Sequence, residues 1–251
     1  MYSKIFLIIC LIVNTTCNCA SIVPNYRPEN ITKTIMPGRL ATFSLFLGSY
    51  KAEKVYTPAG SCVIVKATRN QPLQCLTVFH VVDEFIKDSR PEILAIREIN
   101  NKVEGIVFTI TRFSIEQDLA LLSSVEPWEG PDFAIKIETS QLPVGTPVYT
   151  ISSPNKFASV LTTGYISALL YECKTKTSYC YLATADVLFG SSGGGLFSYY
   201  GRLAGMIDMI KTFPAPVQGT DKLLLVNIPI SYQGIHISGA TIKNFLSEEK
   251  E

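Results

Sequence analysis

Phe189-Gly190-Ser191-Ser192-Gly193-Gly194-Gly195-Leu196 is the stretch that governs the reading of this chain. A serine set among glycines has little packing to offer. Glycine is kept where the backbone must turn sharply or approach another group closely. Apolar residues bracket the run on both sides, Val187 to Phe189 before it and Leu196-Phe197 after it, so it lies between buried elements. A nucleophilic hydroxyl needs such a place: a tight turn, backbone N–H groups free to meet a substrate oxygen, and nothing bulky nearby. A glycine-rich hairpin loop is the plain alternative.

Outward from that run, the chain contains only two histidines, His80 and His236. His80 lies in Leu76-Thr77-Val78-Phe79-His80-Val81-Val82, an apolar, β-prone run that would ordinarily bury its members. Asp118 opens Asp118-Leu119-Ala120-Leu121-Leu122, a carboxylate at the head of a strongly hydrophobic strand. Singly, these read as a core histidine and a turn acid. Together, in the order His, Asp, Ser, they supply the base, the orienting acid and the nucleophile of acyl transfer.

The three segments resemble those of the trypsin-like (chymotrypsin-fold) serine peptidases, nearest the HtrA/Deg-like branch without its PDZ module. The resemblance covers roughly residues 36 to 247 and includes the Gly-x-Ser-Gly-Gly signature at Gly190 to Gly194. Pro147-Val148-Tyr149-Thr150-Ile151 with Gly164-Tyr165-Ile166-Ser167 is similar to a strand pair of the HtrA-like branch. Gly201 to Met206 looks like the strand after the nucleophile, and Asn227 to Ile230 with Ile242 to Leu246 like the last strand and C-terminal helix.

The resemblance implies an all-β fold of two packed antiparallel β-barrels with a short C-terminal helix. It implies a serine endopeptidase in which His80, Asp118 and Ser192 are catalytic and the N–H groups of Gly190 and Ser192 form the oxyanion hole. It also places Asp186, six residues before the nucleophile, at the base of the specificity pocket, and the strand carrying Asp208, Met209 and Ile210 on its wall. An acid at 186 would suit a basic substrate side chain. Ile210, where basic-specific members have glycine, narrows the pocket and favours a small-to-medium apolar one. Ser191 replaces the acid or amide usual before the nucleophile, which excludes activation through an ion pair at that position.

Composition agrees. A chain of 251 residues with 47% hydrophobic residues can bury a sizeable core, and the net charge of +1 carries no basic stripe for nucleic acid. Lys4 followed by the nine apolar residues Ile5 to Val13 and a small polar stretch reads as a secretory signal peptide, too short to span a bilayer. Export follows, to the periplasm or outside the cell. Membrane association would come only through an uncleaved or lipidated N-terminus. Four of the seven cysteines then remain, and their spacing suggests disulfides Cys62–Cys75 and Cys173–Cys180. No Cys-x-x-Cys spacing points to a metal, and no cofactor is implied. The expected partner is a protein or peptide substrate; oligomeric state is not legible.

The segments divide into a signal peptide (1–20), an N-terminal extension (21–35), a first barrel with His80 and Asp118 (36–125), a connection (126–145), a second barrel with Ser192 (146–235) and a C-terminal helix (236–251). Short strands with turn residues between them run throughout, including one at 133–137. Helix is expected only just after His80 and over 240–248. Two other readings stay open. Gly-x-Ser-x-Gly also fits the nucleophile elbow of α/β hydrolases, with Ser192, then Asp208 or Asp221, then His236 in order. A catalytically silent relative would keep the barrels to bind a partner.

Overall fold

The computed structural model describes residues 28–49, 55–86, 92–99, 102–154, 159–171, 179–216 and 225–248. Twelve strands form two closed antiparallel barrels. The first contains β1 (Thr42–Ser49), β2 (Val55–Lys66), β3 (Pro72–Val78), β4 (Glu92–Ile99), β5 (Lys102–Ser114) and β6 (Leu119–Pro127), in the order β1-β2-β3-β6-β5-β4. The second contains β7 (Pro147–Ser152), β8 (Val160–Leu170), β9 (Cys180–Asp186), β10 (Gly195–Ser198), β11 (Leu203–Pro216) and β12 (Leu225–Ser238), in the order β10-β11-β12-β9-β8-β7. This is the double barrel expected, and it removes the α/β-hydrolase reading, which needs helices alternating with parallel strands.

Burial follows strand composition. In β6, Leu119 to Leu122 are all buried, so this continuous apolar run has no solvent face. In β5, exposed residues alternate with better-covered ones, the mark of a strand with one wet face. Phe43, Leu45, Leu76, Ile93, Phe108 and Leu122 are completely enclosed in the first barrel. Their cluster continues into Tyr149, Ile151, Phe197 and Met206 of the second. A smaller apolar cluster, including Val148, Ile166, Tyr181 and Leu196, fills the second barrel.

Three helices complete the described residues: α1 (Pro28–Ala41), α2 (Phe79–Ile86) and α3 (Gly239–Ser247). The expectation of helix only after His80 and near the C-terminus misses α1. α1 keeps Pro37 and Gly38 inside it, residues of poor helix preference that tertiary packing overrides. Gly38 lies so close to Ile151 and Phe197 that a Cβ would sit 3.2 Å from both side chains, and Tyr149 Oη donates to Thr34 O at 2.9 Å. α3 starts at Gly239, capped by Ser238, and not at 236; His236 belongs to β12. α3 returns to the first barrel, where the Arg112 guanidinium stacks 4.4 Å over the Phe245 ring and donates to the Phe245 and Glu248 carbonyls.

The expected 126–145 connection begins inside β6, which runs to Pro127; the rest is irregular, and 133–137 forms isolated bridges (Ala67 with Phe133, Ile137 with Leu203) in place of a strand. Cys62 and Cys75, on paired strands β2 and β3, form a disulfide. The Cys173–Cys180 pairing falls on Cys173, which lies outside the described residues, as does the 1–20 signal segment. Among the described residues no helix is long and apolar enough to cross a membrane.

Candidate active site

β3 is buried along Cys75 to Val78, and the chain then turns directly into α2. In that helix Val81, Val82 and Phe85 face the core and the His80 side chain remains 45% exposed. The sequence alone would leave His80 on a strand; the helix begins at Phe79, in time to lift the imidazole out of the core.

Asp118 holds that helix start from the adjacent turn. Its carbonyl accepts from the Phe79 N–H at 3.0 Å, its Oδ1 from the His80 N–H at 2.9 Å, and its Oδ2 lies 2.7 Å from His80 Nδ1. One carboxylate thus grips both the backbone and the ring of His80. The Nδ1 contact fixes the proton on that nitrogen and leaves Nε2 with its lone pair available. Asp118 has φ +51°, a left-handed conformation few non-glycine residues adopt and one that tends to mark functional sites.

Partial burial by itself would lower the His80 pKa. The hydrogen bond and charge of Asp118, with the charges of Asp208 and Asp83, outweigh it and raise His80 above the usual imidazole value.

The serine loop is shaped by its own hydrogen bonds. Ser191 N–H donates to Leu188 O at 3.0 Å and Gly194 N–H to Ser191 O at 2.9 Å, while Gly193 N–H donates to Ile207 O at 2.8 Å. Gly190 and Gly193 have φ of +88° and +81°, which a side chain would disfavour. The N–H groups of Gly190 and Ser192 donate to no acceptor among the described residues. The buried Ser191 hydroxyl accepts from Leu188 N–H at 3.2 Å and from Ser152 Oγ at 3.0 Å, a neutral anchor under the loop. Ser192 Oγ donates to Asp208 O at 3.1 Å, not to His80.

Sequence reasoning missed the residues that dock this loop on the first barrel. Ser61 N–H donates to Ser192 O at 2.8 Å, Ser61 O accepts from Thr77 Oγ1 at 2.8 Å, and Ser61 Oγ accepts from Ser153 N–H at 2.8 Å. Small hydroxyl residues inside apolar strand runs, such as Ser61 before Cys62, were the available signal.

A cavity of about 540 Å³ joins the two barrels' contributions. His80, Asp118 and Ile115 line it from one side, and Val187 to Gly190, Ser192 and Asp208 to Ile210 from the other. Asp208, Met209 and Ile210 thus line this cavity. Asp186 does not: it is exposed at the end of β9, outside the cavity lining, with its carbonyl taken by Thr162 Oγ1 at 2.8 Å. His236, the histidine of the discarded hydrolase order, is fully enclosed on β12; Asp221 lies outside the described residues. His80, Asp118 and Asp208 place donor atoms within 4.8 Å of one another, a spacing a cation could use, but the Nδ1 of His80 is already engaged by Asp118.

No curated protein sequence matches the chain. Among solved structures, the HtrA-type protease AlgW, solved with a decapeptide, is similar with a TM-score of 0.63 at 16% identity, covering 86% of this chain and 66% of AlgW. Deg5 is similar with a TM-score of 0.61 at 17% identity, covering 86% of this chain and 91% of Deg5. This chain thus spans about two thirds of the AlgW chain, and at such identities the likeness concerns the fold. The family model described as the trypsin-like peptidase domain matches residues 60–206, more than half of the sequence. On that match, this chain belongs to the trypsin-like peptidase family, whose class is serine endopeptidase.

Proposed function

We propose that the protein is an exported serine endopeptidase that cleaves peptide bonds through an acyl-enzyme, with His80, Asp118 and Ser192 as its triad. The observation that carries this reading is the 2.7 Å contact of Asp118 with His80 Nδ1, on a ring that shares one cavity with Ser192. This mechanism requires the Ser192 hydroxyl to leave the Asp208 carbonyl for His80 Nε2 when substrate binds. Hydrogen bonds of this kind commonly tighten only once substrate is bound.

Ser192 Oγ attacks the scissile carbonyl carbon as its proton passes to Nε2. The Gly190 and Ser192 N–H groups receive the developing oxyanion, each donor worth on the order of 3 kcal/mol in comparable sites. His80 returns the proton to the leaving amine, and water repeats the sequence in reverse to release the acid. The apolar wall of Val187, Met209 and Ile210 supports a small-to-medium apolar side chain before the cut. AlgW, a protein of similar fold solved with a decapeptide, supports a peptide as the kind of ligand. The basic start and short apolar run at residues 4–13 support export.

A fluorophosphonate probe tests the triad: it labels the protein at Ser192, and labelling vanishes in Ser192→Ala and falls sharply in His80→Ala. Undiminished labelling of His80→Ala removes the proposed base. Absence of labelling in the wild-type protein leaves the silent-binder alternative.

A further inference from the structure

Two carboxylates, not one, face the catalytic imidazole. Asp208 is only 2% exposed, and its Oδ1 lies 4.0 Å from His80 Nδ1, on the same ring nitrogen that Asp118 engages. The backbone explains why its side chain turns that way. β11 pairs with β12 as Ile207 with His236 and then Met209 with Ile235, so Asp208 is the extra residue of a register shift between them. A β-bulge of this kind leaves one residue out of the ladder and re-aims its side chain, a device found beside active sites. The same residue's carbonyl accepts the Ser192 hydroxyl at 3.1 Å. Asp208 therefore touches the nucleophile through its main chain and faces the base through its side chain.

Resting on the triad proposed above, we infer that Asp208 is a positioning residue that shares the imidazole with Asp118 and stabilises its protonated form during acylation. At 4.0 Å it is beyond hydrogen-bond reach, so Asp118 keeps the Nδ1 proton and Asp208 acts by charge alone. Burial on the protein side strengthens that charge, because little water screens it. Among the described residues Asp83, from α2 itself, also acts on the ring through its charge. An imidazolium formed when Ser192 gives up its proton then meets two carboxylates at its Nδ1 edge. The consequence is a stronger base whose neutral form is lost at a higher pH. Asp208 is thus a tuning charge and not a contact for a basic substrate side chain.

Imidazole NMR of the full chain tests this without substrate. The chain has two histidines, and His236, fully enclosed, serves as the internal reference that folding is intact. In Asp208→Asn the His80 titration moves down by about one pH unit, the lower end of the effect of a nearby opposite charge. The acid limb of kcat/KM on an apolar peptide moves down with it, and the rate on the alkaline plateau falls roughly tenfold while KM holds. An unmoved His80 titration, or a loss confined to KM for basic peptides, overturns the inference. Should Asp208→Asn fail to fold, the 13Cγ resonance of Asp208 in the wild-type protein replaces it: a step at the pH of the His80 titration supports the coupling, and a flat trace there overturns it. Because these titrations need no turnover, they decide on Asp208 even if Ser192 proves unreactive toward the probe.

Discussion

The two barrels have the same strand count and closure but are built from different interiors. The first holds a disulfide between neighbouring strands and a broad apolar core, and buried hydroxyls in it are bonded: Thr42 to Gly38 O, Thr77 to Ser61 O and Ser124 to Glu126 O. The second encloses Ser152, Ser191, Asp208 and His236 beside a smaller apolar cluster. The firm barrel carries His80 and Asp118, whose separation must hold to a fraction of an ångström. The polar barrel carries the serine loop and most of the cavity wall, where hydrogen bonds hold the backbone in shape. One half is held by dispersion and a disulfide, and the other by directed hydrogen bonds beside a buried histidine whose burial answers to pH.

Substitutions can break that contrast, beginning with the largest effect. Asp118→Asn should lower kcat about 10⁴-fold, the loss seen when a triad imidazole is left in the wrong tautomer, with the fold intact by circular dichroism. A residual rate near that of the unaltered protein would show that the first barrel does not supply the acid. Gly193→Ala strikes the seam between the barrels. Its Cβ would lie 2.1 Å from Ser61 O and 2.3 Å from Thr77 Oγ1, at a φ of +81°. A loss of about 4 kcal/mol in urea unfolding is expected, because strand backbone cannot retreat; less than about 1 kcal/mol would mean that the seam is soft.

His236 sharpens the comparison through pH. Burial alone lowers its pKa to about 3, and neither ring nitrogen has a partner among the described residues. The unfolded chain therefore binds a proton near pH 6.5 that the folded chain refuses until about pH 3. Stability is complete above the unfolded pKa and declines as pH falls through that window, by about 3 kcal/mol between pH 7 and pH 4. His236→Leu should flatten that part of the stability profile, and an unchanged profile would place the acid sensitivity elsewhere. Opening the disulfide with Cys62→Ala and Cys75→Ala together should cost somewhat less, about 2–3 kcal/mol for so short a loop. That cost should be the same at both pH values; a strong pH dependence would contradict the division between the barrels.

Legibility differed by kind of residue. The strands of both barrels could be placed from their apolar runs and turns, because each strand's burial repeats its own composition. His80, Asp118 and Ser192 could be singled out because each sits in a short segment of distinctive composition: an apolar run, a strand head and a glycine run. The helix expected just after His80 starts earlier, at Phe79, since an apolar strand and an apolar helix face use the same residues over so short a run. α1 was missed because contacts that support it, such as Gly38 against Ile151 and Phe197, join segments far apart in the sequence. Asp186 was expected in the pocket from its spacing to the nucleophile, but a loop's path between two strands is not set by residue count.

From its amino acids alone this chain determined a serine with glycine freedom around it, a histidine and an aspartate in the order acyl transfer uses, and strands enough for two barrels. Only the tertiary structure decided that Ser61 would hold the carbonyl of Ser192, that a bulge would turn Asp208 toward His80, and that Asp186 would stay outside the cavity. The physical reason is range. Turn and strand preferences act over a few neighbouring residues, whereas charge pairing and the satisfaction of buried polar groups act between segments that only closure of the barrels brings together.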